Sequence, residues 1–257
     1  MDSVVLRDLN RMVYSRVGHG NTNVIMIHGW GLTHKVWDRL ASEMNNGEYS
    51  LYLLDLVGFG DSDKRRNHHS IASWGRDIIE FAEKTEIDEP IIFGHSLGAS
   101  VTLKVLITQS VIVRGAVIFD SGYKSAGNVN YLIEKIEKGV SEKEIRHLIS
   151  SFFGQIKDDD LAEFTNKALR IDQRTMVSSL KAISRFNFCR VIHSIDVPTL
   201  VFYGDNDNNR KIVEVESLSS LLPRGFLRIV LGSGHCPMYE KPKEVARTLS
   251  DFMRIIQ

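Results

Sequence analysis

Cysteine is scarce: Cys189 and Cys236 are the only two in 257 residues. That excludes a disulfide framework and any four-cysteine zinc site, and it fits a reducing compartment. An excess of one charge is also lacking. Lysine plus arginine number 32, aspartate plus glutamate number 32, and the net charge is zero with histidine neutral. A nucleic-acid partner held by bulk positive charge is therefore not expected. No window approaches the run of roughly 18 apolar residues that spans a bilayer, so no membrane span is expected. The opening MDSVVLRDLNRMVYSR carries charge where a secretion signal needs an apolar stretch. A soluble, cytoplasmic protein is the expectation. What is present is an ordinary globular composition, 43% hydrophobic and 25% charged. The chain is long enough for one large domain with a sizeable core.

Short apolar, β-branched runs recur along the chain: Val24–Ile27, Leu51–Leu54, Pro90–Phe93, Gly115–Phe119, Thr199–Tyr203 and Phe226–Val230. With little polar alternation, they predict strands buried on both faces of a parallel sheet. Amphipathic stretches lie between them. Trp37, Leu40, Ala41 and Met44 share one helical face. Ile71, Trp74, Ile78, Phe81 and Ala82 share another, with Ser70 as N-cap. Val101, Val105 and Leu106 mark a third helix, and Val245, Leu249 and Phe252 the last. Alternating strands and helices predict an α/β fold, a mostly parallel twisted sheet with helices on both faces. Val4–Asp8 and Met12–Arg16 predict an antiparallel edge hairpin.

One segment breaks the rhythm. Residues 121–188 contain no convincing buried strand and predict helices over Val129–Glu137, Glu142–Phe153, Asp159–Leu169 and Arg174–Ile183. Ser141 and Glu144 form a capping-box pattern. The expectation is a helical lid, 121–188, inserted into a core made of 1–120 and 189–257.

The strongest chemical signal is Gly94-His95-Ser96-Leu97-Gly98, directly after the strand PIIF and directly before a helical pattern. Gly-x-Ser-x-Gly in that context places a serine on a sharp strand-to-helix turn, its hydroxyl exposed and a helix N-terminus behind it. A hydroxyl needs a base to become a nucleophile at neutral pH. His235 lies in Gly232-Ser233-Gly234-His235-Cys236-Pro237, after the last strand, where glycines permit a loop across the sheet end. His28 and His95 sit in strand-end turns. His19, His34, His68, His69, His147 and His193 read as loop, surface or lid residues. The imidazole in turn needs a carboxylate to fix its tautomer. Asp207, beyond the strand TLVFY, is chosen; Asp205 reads as a turn residue, and Asp120 is a third candidate. The backbone N–H groups of Leu97 and Trp30 are the expected oxyanion donors. Cys236 adjoins the histidine, but reactivity requires exposure.

Together with His28-Gly29-Trp30-Gly31 and Asp55-Leu56-Val57-Gly58-Phe59-Gly60-Asp61-Ser62, these segments resemble the α/β-hydrolase superfamily over nearly the whole chain outside the lid. The order serine, acid, histidine is that family's. Valine stands at position 57 where the family's loop usually has proline. The stretch HGWGLTHKVWDRL, the segment LLDLVGFGDSD and the length are similar to the carboxylesterases of biotin synthesis, which remove the methyl ester of pimeloyl-acyl carrier protein. That family often has tryptophan where this chain has His95.

The resemblance implies a cofactor-independent serine esterase with Ser96, Asp207 and His235 as its triad and no metal. A general carboxylesterase, thioesterase, lactonase or carbon–carbon bond hydrolase would use the same triad. A ligand receptor or signalling protein on the same scaffold is the reading from another class. Trp30, Phe152 and Phe153 are candidate substrate contacts, although the two phenylalanines equally suit a lid core. Basic residues on the lid, among them Lys135, Lys138, Lys143 and Arg146, suit an acyl carrier protein as partner. They also suit a solvated surface, since acidic residues interleave.

Overall fold

All six apolar runs form strands, and each amphipathic stretch forms a helix. The computed structural model describes residues 1–65, 69–125, 127 and 129–256; His68 lies outside the described residues. In chain order the elements are β1 (Asp2–Val5), β2 (Arg11–Val17), β3 (Thr22–Ile27), α1 (Asp38–Met44), β4 (Tyr49–Leu54), α2 (Ile71–Lys84), β5 (Ile91–His95), α3 (Leu97–Thr108) and β6 (Gly115–Phe119). Then come α4 (Asn130–Glu137), α5 (Glu142–Ser150), α6 (Asp158–Leu169) and α7 (Gln173–Arg185). The chain ends with β7 (Thr199–Gly204), α8 (Ile212–Leu221), β8 (Gly225–Val230), α9 (Pro237–Glu240) and α10 (Pro242–Ile255).

The strands make one eight-stranded sheet in the order β1-β2-β4-β3-β5-β6-β7-β8. β3 to β8 pair in parallel; β1 and β2 pair antiparallel, and β2 pairs antiparallel with β4. Helices cover both faces, with α1 packed on α10 and α2 on α3. β4, β5, β6 and β7 are buried along their whole lengths. β8 departs from the expected two-sided burial: Phe226 and Leu227 are exposed, because β8 is the sheet edge and pairs only with β7. The opening hairpin forms, but its first strand is Asp2–Val5 rather than Val4–Asp8. Leu9 takes a left-handed φ of 65° and its N–H closes a turn on Leu6 O, so residues 6–9 leave the strand.

Local signals act as expected at two caps. The Ser70 side chain accepts from Ser73 N–H at the start of α2, and Ser141 and Glu144 cap α5 reciprocally. α5 stops at Ser150, short of the expected Phe153, and Phe152 and Phe153 lie in the turn that follows.

Helices α4 to α7 lie between β6 and β7 and face the carboxyl ends of the strands. Lys167 bonds Asp61 at 2.6 Å, Lys35 bonds Glu163, and Arg39 bonds Asp160 at 2.8 Å while stacking on the Tyr239 ring. Half-exposed pairs of this kind contribute only about 0–1 kcal/mol each. The apolar side chains Phe153, Leu161, Phe164, Met176 and Leu180, buried in the main core cluster, do most to hold these helices down. Among the described residues, no helix is long and apolar enough to cross a membrane.

Candidate active site

Ser96 joins β5 to α3 with φ 50° and ψ −105°. A non-glycine residue held in so sparsely populated a region costs about 1–3 kcal/mol and persists only where the surroundings enforce it. Here Ser96 N–H donates to Phe119 O at 3.0 Å, and the flanking glycines permit close approach. A Cβ on Gly94 would lie 2.4 Å from Gly98 O, and one on Gly98 would lie 2.1 Å from Ile27 O. Both glycines are therefore demanded by backbone contact, across the turn at Gly94 and against the end of β3 at Gly98, which a simple serine cap would not require.

His235 sits in the loop after β8, and several groups fix that loop. Asp205 Oδ1 accepts from Gly232 N–H at 2.6 Å and from Ser233 N–H at 3.3 Å. Glu240 Oε1 accepts from Gly234 N–H at 3.1 Å, and its other oxygen accepts from Gln155 N–H, between α5 and α6. His95 Nε2–H donates to the His235 carbonyl at 2.8 Å. His235 Nδ1–H donates to Asp207 Oδ2 at 2.7 Å. A carboxylate only accepts, so Nδ1 carries the proton and Nε2 is left as the base. Asp207 Oδ1 accepts from the N–H groups of Asn209 and Arg210 at 2.6 and 3.3 Å. Burial opposes the Asp207 charge, but the His235 contact and then the Asn209 N–H outweigh it and hold the carboxyl below the usual range.

Asp207 therefore reaches the imidazole, and Asp205 is a turn residue. Asp120, at the end of β6, is also close: one ligand atom each from Asp120, Asp207 and His235 lie within 4.8 Å of one another. Among the described residues this is the group a metal ion could use. The hydrogen bond between His235 and Asp207 already engages the ring nitrogen and oxygen that face each other.

Trp30 follows β3 and Leu97 opens α3. Among the described residues, neither backbone N–H donates to a protein acceptor. The Trp30 indole N–H donates to Ser179 Oγ of α7 at 2.7 Å. Ser96, His235, Trp30, His95, Asn209 and Arg210 line a cavity of about 190 Å³, whose apolar walls include Leu132, Leu148, Phe152, Leu180 and Ile183. Phe152 lies 6.2 Å from the His235 ring, whereas Phe153 stacks on Phe164 and does not line the cavity. A serine hydroxyl and an imidazole nitrogen on one cavity, two backbone N–H groups without a protein acceptor and an apolar recess are the parts acyl transfer needs.

The loop carrying Trp30 rests on a buried ion pair. Asp55, after β4, accepts from His34 N–H at 2.7 Å and His34 Nδ1–H at 2.9 Å, and its other oxygen accepts from Asp61 N–H at 2.8 Å. The sequence reads His34 and His69 as loop, surface or lid residues; both are buried, His34 on Asp55 and His69 stacked on Trp74. Burial works against both charges of the pair, yet Asp55 is held low and His34 high by each other. The Asp55 contribution is complete above the ordinary carboxylate value near ~3.9 and fades as pH falls through its lowered folded value. The His34 contribution is complete below the ordinary imidazole value near ~6.5 and fades as pH rises through its raised folded value. Asp55→Asn should therefore lower the melting temperature most between about pH 4 and 6.5, by the equivalent of about 3–5 kcal/mol, and less toward pH 9. A thermal melt series across pH reads this; a pH-independent loss would contradict it.

Three supporting residues were not singled out from the sequence. His95 read only as part of the turn; its pKa is pushed well below the usual value by burial and then by His235, so it is a neutral donor. Gly29 is the fitting complement, since a Cβ there would lie 2.6 Å from His95 Nδ1. Ser179 and Glu240 carry no sequence signal, because each acts across more than one element of the fold. Cys236 is fully buried, and burial raises its thiol pKa well above normal, which leaves it inert.

The sheet order, the strained serine turn and the serine-acid-histidine order define an α/β hydrolase. Residues 24–248 match the model of the alpha/beta hydrolase family, and the chain belongs to that family. It is 22% identical over 249 residues to AB hydrolase superfamily protein YisY of Bacillus subtilis, covering 92% of each. It is 23% identical to the pimeloyl-[acyl-carrier protein] methyl ester esterase of Citrobacter koseri, covering 94% of this chain and 97% of the relative. The solved esterase EaEST from Exiguobacterium antarcticum superposes with a TM-score of 0.90 at 17% identity, over 98% of both chains.

Proposed function

We propose that this chain is a serine ester hydrolase. The observation that carries the reading is one cavity lined by both Ser96 and His235, with His235 Nδ1 bonded to Asp207. His235 Nε2 takes the Ser96 proton as Oγ attacks the ester carbonyl. The N–H groups of Trp30 and Leu97 hold the oxyanion. The alcohol leaves with the proton from His235, and water, deprotonated by the same nitrogen, hydrolyses the acyl-enzyme. Residues 121–188 act as the lid, and no cofactor takes part. Sustained turnover of p-nitrophenyl esters of several chain lengths tests the reading. A single slow burst with retained product would instead indicate a ligand receptor.

The proposed substrate is a medium-chain acyl methyl ester on an acyl carrier protein, in biotin synthesis. The resemblance of the HGWGL segment and the printed name of the Citrobacter koseri relative support it. A groove of about 320 Å³ between α4 and α5 has Leu132 and Leu148 in common with the lining of the cavity, so the two spaces adjoin at apolar side chains. Lys138, just past the end of α4, and Lys143 on α5 are exposed, and Arg146 pairs weakly with the exposed Asp158 at 3.5 Å. Lys135 is already matched by Glu144 at 2.9 Å. Reversing the charges of Lys138, Lys143 and Arg146 should lower turnover of a carrier-linked ester about tenfold and leave small soluble esters unchanged. The difference should shrink with salt, since exposed charges are screened over roughly 8–10 Å. Equal losses on both substrates, or none, would remove the patch from the account.

A further inference from the structure

The carboxyl of Asp120 is fully buried and lies outside the relay just described. Its Oδ1 accepts from Gly204 N–H at 2.9 Å. Its Oδ2 is buried and unbonded, and one oxygen each of Asp120 and Asp207 lie within 4.8 Å of each other. The backbone at Asp120 adopts a left-handed φ of 48°, and its N–H donates to Phe202 O at 3.0 Å. A strained residue thus places one buried carboxyl close to another. Two buried carboxylates at this separation cannot both be charged without a large repulsion, but a carboxylic acid and a carboxylate form a strong hydrogen bond. The charge belongs on Asp207, which has three donors of its own in His235 Nδ1–H and the N–H groups of Asn209 and Arg210. Asp120 has one.

We propose that Asp120 is a positioning residue that stays protonated and donates its Oδ2–H to the Asp207 carboxylate, fixing that carboxylate opposite His235 Nδ1. Burial, and after it the Asp207 charge, pushes the Asp120 carboxyl well above the usual range. Glu240 pushes the same way, and Tyr203, Cys236 and the buried cation Arg210 also face it. The bond does for Asp207 what Asp207 does for His235: it removes rotational freedom from the group behind the base. The proposal rests on the esterase reading for its kinetic arm only.

Asp120→Asn keeps an N–H donor for Asp207 and an acceptor for Gly204, while Asp120→Ala removes both. On a p-nitrophenyl ester, Asp120→Asn should retain kcat within about threefold, and Asp120→Ala should lose roughly tenfold or more in kcat with KM little changed. The acid limb of the kcat/KM profile should stay in place in Asp120→Asn, because no charge is removed. A charged Asp120 would make that limb move to lower pH, since His235 would lose a neighbouring anion, and this would overturn the proposal. Full activity in Asp120→Ala would overturn it as well. An infrared difference spectrum of wild type minus Asp120→Asn at about pH 8, where ordinary carboxyls are ionised, should show the carbonyl band of a protonated carboxyl. Its absence would count against the proposal whether or not the protein turns over any ester or the alanine variant folds.

Discussion

Ser96→Ala should end sustained ester turnover, with a loss in kcat of roughly 10⁶-fold, the scale seen when the nucleophile of such a unit is removed. No neighbour can replace it. Ser125 also lines the cavity, but it lies on the far loop after β6 and donates to Gly127 O at 3.3 Å. The variant should fold normally. Alanine keeps the Cβ at the strained φ of 50°, so the backbone cost is unchanged, and the side chain makes no cap bond to lose. The measurement is steady-state release of p-nitrophenol together with a thermal melt. Wild-type turnover in a folded Ser96→Ala protein would remove serine catalysis from the account.

The second large effect is expected at Asp207. Asp207→Asn should lower kcat by about 10⁴-fold, because an amide offers Nδ1 a donor and stabilises the tautomer that puts the proton on Nε2. The base is then occupied before the reaction starts. Asp205→Asn should cost far less, about tenfold or under, because the Asp205 carboxylate accepts from the Gly232 and Ser233 N–H groups and an amide oxygen can still accept from them. The ranking of the two variants is the test. If Asp205→Asn proved the more damaging, the carboxylate assigned to His235 would be the wrong one.

Much of this was legible in the chain because short-range rules govern it. A two-sided buried strand announces itself as VIMI or GAVIF, Ser70 and Ser141 cap as their neighbours require, and Gly94 and Gly98 mark a turn that only glycine fits. Asp207 could be chosen over Asp205 because two residues of extra reach separate a turn from a neighbouring loop. Other features depend on contacts distant in sequence. The pairing of β8 on one side only leaves Phe226 exposed although its run reads like the others. Pairs such as His34 with Asp55, Trp30 with Ser179 and Glu240 with Gln155 join segments whose proximity only the folded sheet creates. His95 looked like a turn residue because its partner is a backbone carbonyl, which leaves no mark in the sequence.

The central claim is a covalent acyl group on Ser96, and trapping it is the most direct measurement. The protein is mixed with a p-nitrophenyl ester, quenched in acid within the first turnovers, digested, and analysed by mass spectrometry. The account predicts one acyl adduct, on Ser96, which accumulates further when His235→Ala is treated with an activated ester and vanishes in Ser96→Ala. An adduct on another residue that persists in Ser96→Ala, or ester turnover with no acylated peptide under conditions where the second step is slowed, would contradict it.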